Sequence, residues 1–402
     1  MRARRLNTIL WELIVFFSWL PGFAYAIGNQ MLVSTGIYTV VFLVAASFVY
    51  SIFSKSTKNK LISILLLFAL YFSFVLIKVF YFSEGTVRAL LYLGMIMMAF
   101  CLCMKEDRVE SHSGSIYRYP LVLSFLMFAL SFNSGMYEEF ENGKYWLKLR
   151  YQNPNILSYV LLIMLIYIFL GYLKERKKIY LMGAGICLYL IILTVCRASL
   201  LGAAAFILLE TLKVYKRKIA KVWSVVATLI PILSVVMILA LRTIEMRFRG
   251  KTGWSGRDVI WSAVIEAGLK NKSLMFIGRN SIISNFIIVD DVFSGVPRNV
   301  LENAHNAYMQ SFCNYGILVT LLLIAIISIC MIKAGNRVKG MYSYTAYCGI
   351  VAIMINNAFE THMIDGITGM TFLWILLYKL AREDSMRVNY DSRRTRTGII
   401  DG

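Results

Sequence analysis

Two arginines and two histidines stand out as side chains able to grip an anion or move a proton: Arg197, Arg257, His305 and His362. Arg197 breaks an apolar run from Ile179 to Leu212. That run is too long for one crossing of about 20 residues and suits two helices joined by a tight turn. At such a turn an arginine either marks the membrane edge, its stem snorkelling to lipid phosphates, or holds an anion with its planar fork of donors.

Arg257 lies in Trp254-Ser255-Gly256-Arg257-Asp258. The spacing of Ser255 and Asp258 resembles a capping box and predicts a helix beginning there. Stripes at Val259/Ala263/Ala267, Ile260/Val264 and Trp261/Ile265/Leu269 make it a surface helix on the membrane or the bundle. In its first turn, Arg257 would add charge to backbone N–H groups already suited to anions. A solvated helix-start arginine is the plainer alternative.

His305 sits between Asn303 and Asn306, just ahead of Tyr308 and another apolar run. The asparagines can fix its tautomer, and an imidazole titrating near about 6.5 is suited to proton abstraction at neutrality. A hydrogen-bonding anchor is the competing role. His362, in Glu360-Thr361-His362-Met363-Ile364-Asp365, is the second candidate base. The residues taken as catalytic are therefore His305, Arg257 and Arg197, with Asn303, Asn306, Asp258, Tyr308 and His362 as substrate contacts. Two guanidiniums beside one imidazole describe group transfer from a phosphorylated lipid.

Other chemistries find less support. No serine or cysteine sits in a recognisable nucleophile elbow, and no nucleotide-binding fingerprint is present. Asp290-Asp291 is a lone acidic pair in a polar stretch, so the site is expected to need no metal and no cofactor. Six of the seven cysteines fall in apolar runs and Cys313 at the edge of one, as small hydrophobes rather than a disulfide framework or zinc site.

The elements that must position these residues follow from composition. Of 402 residues, 59% are hydrophobic and 16% charged, against roughly 25% charged in a soluble domain. The apolar residues come in repeated runs of spanning length. The expected fold is all-α: a polytopic membrane protein with about twelve transmembrane helices and one long extracytoplasmic loop containing short helices. The expected divisions are N-terminal transmembrane helices over 1–150, central ones with the turn arginine over 151–241, and a catalytic loop over 242–306. C-terminal helices over 307–382 and a cytoplasmic tail over 383–402 complete the chain.

The net charge of +20 is distributed by side. Lys and Arg crowd the N-terminus, the stretches 55–60, 105–118, 174–178, 213–221 and 333–339, and the tail. The short segments on the other side carry only Arg88, Lys144, Lys148, Arg150 and Arg197. The positive-inside rule then puts both termini in the cytoplasm and 242–306 outside. Basic residues flanking apolar runs form no continuous patch, so no nucleic acid is expected as a partner. Ala24-Tyr25-Ala26 looks like a signal-peptidase site, but an uncleaved first span is the preferred reading.

At these positions the chain resembles the O-antigen polymerase and O-antigen ligase family. The resemblance rests on Gln152-Asn153-Pro154-Asn155, Cys196-Arg197-Ala198-Ser199-Leu200, Ser255-Gly256-Arg257 with Trp261, and Ala304-His305-Asn306-Ala307-Tyr308 leading into Tyr315-Gly316-Ile317-Leu318. Their order covers about 150–320; the chain departs from the pattern in carrying Cys196 where a serine or similar small residue is usual.

The resemblance implies a metal-independent, inverting glycosyltransferase at the outer face of the bacterial cytoplasmic membrane. Its donor would be a glycan linked through diphosphate to undecaprenol. Arg197 and Arg257 would hold the diphosphate, and His305 would activate the acceptor hydroxyl. Repeat-unit polymerase, for capsule, exopolysaccharide or O-antigen, is the preferred activity, and transfer to lipid A core the alternative. The bilayer and a chain-length-regulating protein are the expected partners. A flippase is the rival of another class; charges are nearly absent from the spans, which speaks against it.

Overall fold

A computed structural model describes residues 2–53, 86–104, 114–140, 144–151, 153–213, parts of 218–229, 257–278, 304–362 and 370–383. The expected span 61–82, most of 222–241, the loop segments 242–256 and 279–303, and the tail from 384 lie outside the described residues.

The described chain is mostly helical. Its helices are α1 (Arg2–Ile27), α2 (Gln30–Phe53), α3 (Thr86–Met104), α4 (Ser115–Ser131), α5 (Pro154–Glu175), α6 (Lys178–Thr194) and α7 (Arg197–Thr211). They continue with α8 (Arg257–Lys270), α9 (Lys272–Ile277), α10 (Ala307–Arg337), α11 (Met341–Asn357) and α12 (Thr371–Glu383). One antiparallel hairpin, β1 (Tyr137–Phe140) with β2 (Lys144–Leu147), joins α4 to α5 and pairs Tyr137 with Leu147.

Among the described residues, four helices are long and apolar enough to cross a membrane: α1, α2, α5 and α10. Stretches of α3, α4 and α6 are apolar but shorter, at 10–17 residues. Of the about twelve spans expected, four are found among the described residues by length and composition. Most of the expected runs are helices, but α7 at 15 residues and α12 at 13 fall short of the roughly 20 that a full crossing needs.

Helix α5 is the axis of the bundle. It is apolar on every side, with Leu157 and Tyr159–Met164 essentially unexposed, as befits a helix enclosed by others. Helices α4, α6, α7 and α11 pack on it. Its buried Tyr167 hydroxyl donates to the Leu373 carbonyl of α12 at 2.6 Å. The start of α5 is set locally: Asn153 is the N-cap, its side-chain oxygen accepting from Asn155 N at 2.7 Å, and Pro154 takes the first helical position, where no N–H is needed.

The bundle has two ends of different character. One gathers Arg118, Lys174 and Lys177: Lys177 and Arg118 pair with Glu175, Lys174 lies over the Tyr117 ring, and Tyr117 meets Tyr342. At the other end the hairpin meets the α1–α2 turn, where Arg150 donates to the Ile27 carbonyl at 3.2 Å. Tyr151 stacks on Tyr25 with ring centroids 4.9 Å apart and bonds the Gly22 carbonyl. Ala24-Tyr25-Ala26 is therefore the buried last turn of α1, packed into the bundle.

Candidate active site

The second end also holds the histidines. Asn306 is the N-cap of α10, its Oδ1 accepting from Tyr308 N at 2.9 Å and Met309 N at 3.0 Å. Its Nδ2 donates to the Ala358 carbonyl at 2.9 Å and fastens the start of α10 to the end of α11. Both polar ends of this fully buried side chain are engaged, so it acts as a strut for its neighbour. That neighbour, His305, has a φ of +47°, a left-handed conformation that a non-glycine residue holds only when its surroundings impose it. Ala304 helps impose it: its N–H donates to Gln310 Oε1 at 2.8 Å and its carbonyl accepts from the Trp261 indole.

This backbone arrangement brings His305 to the α11 end. His305 Nδ1 lies 3.7 Å from Glu360 Oε2, with the imidazole partly exposed at 18% and the carboxylate buried at 3%. His362 Nε2 approaches the same oxygen, also at 3.7 Å, and its ring lies 5.4 Å from that of Tyr159. The other oxygen, Oε1, accepts from Asn155 Nδ2 at 3.0 Å. Glu360 thus stands between two histidines and an amide. Sequence reasoning passed over it, because only folding brings it to His305 and no spacing rule links residues that far apart.

Arg197 is the first residue of α7 and exposed, as the turn predicts. Val195 ends α6 in the left-handed conformation at φ +54°, and α7 starts two residues later. Behind the arginine, Ser199 Oγ bonds Ser158 Oγ at 2.8 Å and accepts from Asn356 Nδ2 at 2.9 Å, so α7 is tied to α5 and α11. Cys196 is buried in the same cluster. Burial first, and the Glu360 carboxylate second, push its thiol above the ordinary value.

Arg257 and Asp258 open α8, as the sequence predicts, but their side chains lie outside the described residues, as do Ser255, Asn303, Asp290 and Asp291. The inner face of α8 is Ile260, Trp261 and Val264. The third expected stripe is not an inner face throughout, since Leu269 is 70% exposed. Helices α8 and α9 reach α10 through a close backbone approach. Gly316 (φ +77°, ψ 177°) kinks α10, and a Cβ there would stand 2.2 Å from the Phe276 carbonyl oxygen at the end of α9. Tyr308 is buried at 3% in the core, away from solvent.

Residues 182–324 match the O-antigen ligase family model. Over that segment the chain is similar to the O-antigen ligase family. Neither a curated protein nor a solved structure matches this chain. Members of that family are membrane glycosyltransferase-like enzymes, and the apolar helices of this chain agree with a membrane protein. The O-antigen ligase segment takes in the α6–α7 turn with Arg197, helix α8, His305 and the Gly316 kink, but ends before α11. Glu360 and His362 come from beyond it and complete the site.

Proposed function

We propose that this chain polymerises undecaprenyl-diphosphate-linked oligosaccharide repeat units by inverting glycosyl transfer at the outer face of the cytoplasmic membrane. One observation carries the reading: His305 Nδ1 faces a buried carboxylate at 3.7 Å, and in this reading Nε2 is the atom that meets substrate. A carboxylate behind an imidazole holds the ring's orientation and stabilises the imidazolium that forms when Nε2 takes a proton. The separation of 3.7 Å exceeds a hydrogen bond, and such contacts tighten in the reacting complex.

The reaction runs as a single displacement. The acceptor hydroxyl gives its proton to His305 Nε2 as its oxygen bonds the donor's anomeric carbon. The bond from that carbon to the diphosphate oxygen breaks, and undecaprenyl diphosphate leaves with the electron pair. Arg197 and Arg257 hold the diphosphate, and their charge is worth most as negative charge grows on the leaving oxygen. No step requires a metal.

The end of the bundle opposite the site carries Arg118, Lys174, Arg176, Lys177 and Lys178, which supports a cytoplasmic place for that end and an outer one for His305. In this reading the chain crosses the bilayer about twelve times, shorter helices such as α7 being completed by their flanks. Both termini are cytoplasmic, 242–306 forms the outer loop, and a chain-length-regulating protein is the partner. The matched family's description as O-antigen ligase favours one second reading, transfer of the glycan to lipid A core by the same chemistry.

The test is a strain whose only copy carries His305→Ala. Polymer should vanish and undecaprenyl-linked single repeats should accumulate, with the protein still in the membrane. Polymer of parental length would overturn the proposal. Loss of long glycan from lipid A, with polymer intact on its lipid carrier, would select the ligase.

A further inference from the structure

Asn155 belongs to Asn153-Pro154-Asn155, a motif whose chemistry the reaction above leaves unused. Starting α5 does not need its side chain, because Asn153 supplies the cap and Pro154 the first position. Its backbone carbonyl accepts from Ser158 Oγ at 2.8 Å, again without the amide. What the amide does is donate to Glu360 Oε1 at 3.0 Å. The opposite flip would set an amide oxygen against a carboxylate oxygen, so the nitrogen faces Glu360.

We propose that Asn155 is the positioning residue of this site: its amide holds one oxygen of Glu360 so that the other stays turned to His305. The inference rests on the glycosyl-transfer reading and deepens it. The groups around Glu360 come from several elements. His305 precedes α10, His362 follows α11, Asn155 opens α5, and the Cys196 thiol faces it from the α6–α7 turn. Asn155 bonds the carboxylate directly through its amide. A hydrogen bond to one carboxylate oxygen fixes the rotation of the group, so Asn155 holds the buried acid in place behind the imidazole. Without it, the carboxylate can rotate between two histidines that compete for Oε2.

The motif also joins the two halves of the site. From Asn155 the bonding passes to Ser158, Ser199 and Asn356, and Ser199 lies two residues beyond Arg197. The first turn of α5 therefore fixes both the base and the anion-binding turn against a single rigid helix.

The test compares Asn155→Ala with Asn155→Asp in the purified full chain. The probe is the pool of undecaprenyl-linked repeat units extracted from cells deleted for this chain. Asn155→Ala should lower kcat by about 10- to 100-fold, the equivalent of a lost hydrogen bond to a charged group, with KM for the lipid donor little changed. Asn155→Asp is nearly isosteric, and an acidic residue suits the first turn of a helix, so a packing or capping role would make it the milder change. Facing Glu360 it sets carboxylate against carboxylate, and it should be the worse of the two.

An aspartate variant as active as the parent, or milder than the alanine variant, overturns the proposal. Should the aspartate variant not reach the membrane, the alanine variant decides alone, and a kcat within about threefold of the parent overturns it. His305→Ala assayed beside them separates the two failures. If that variant stays active, the glycosyl-transfer reading itself fails; if it is dead while Asn155→Asp is normal, only the role of Asn155 fails.

Discussion

At the scale of single residues, the candidate site is arranged around a buried acid whose neighbours come from four places in the chain. Glu360→Gln keeps the shape and removes the charge that would stabilise an imidazolium at His305. It should lower kcat by about 10²- to 10⁴-fold, the range for an impaired acid–base group, while lipid-donor KM stays near the parental value. Turnover of lipid-linked repeats by the purified variant measures this, and a loss under threefold would remove Glu360 from the reaction. Cys196 makes the converse prediction. Its thiol is raised by burial and by the same carboxylate, so at pH 7–8 it holds little thiolate. Alkylation of Cys196 should be far slower than that of an exposed thiol, accelerating only as pH rises well above the ordinary thiol range; peptide mapping by mass spectrometry reads it. Cys196→Ser, which places a small hydroxyl among Ser158, Ser199 and Glu360, should retain activity.

The residues legible in the sequence were those with distinctive chemistry. Arg197 at a turn, His305 at a helix start and Asn306 beside it all fall where the pattern put them. Asn306 is fully buried in capping and bracing, so its expected substrate contact becomes a task of shaping the His305 backbone. Glu360 was illegible for a physical reason. A carboxylate beside Thr361 and His362 resembles any helix-end acid until α11 ends against α5 and α10, and that juxtaposition is tertiary.

At the scale of elements, the kink in α10 decides whether the α8–α9 arm is held to the bundle. The run from Ala307 reads in sequence as one helix, and Tyr315-Gly316 as a motif without a geometry. The structure supplies it: ψ of 177° with positive φ is a conformation essentially reserved for glycine, and the α9 end occupies the space where a side chain would begin. Gly278, at φ +68°, closes the same contact from the arm's side. Gly316→Ala should cost about 1–3 kcal/mol in local strain alone. A drop of several degrees in the melting temperature of the detergent-solubilised protein would show it. Activity should fall further than stability, because α9 would lift and carry Arg257 on α8 with it. A variant with parental melting temperature and turnover would mean that the approach of α9 to α10 is dispensable. Helix propensity and hydropathy cannot expose such a device; they register Gly316 only as a weak helix former.

At the scale of the whole molecule, the arrangement is one of opposite ends. Apolar runs placed most helices correctly because hydropathy is what a bilayer selects, whereas the short lengths of α7 and α12 reflect turns and caps that hydropathy does not encode. The asymmetry of charge is a separate signal, and it bears on where a lipid-linked glycan could meet His305. The described basic residues at one end, Arg118, Lys174, Arg176, Lys177 and Lys178, should hold that end in the cytoplasm, with the hairpin, the α6–α7 turn and His305 outside. Two exposed positions report on this without touching the site. Ser134, in the turn ahead of β1, sits at the His305 end, and Lys178, at the start of α6, sits at the basic end. In intact cells or spheroplasts a membrane-impermeant maleimide should label Ser134→Cys readily and Lys178→Cys only after permeabilisation. The reverse pattern would put the imidazole and its carboxylate in the cytosol, among soluble glycosyl donors rather than flipped lipid carriers. Polymerisation at the outer face would then be untenable, however well the residues meet.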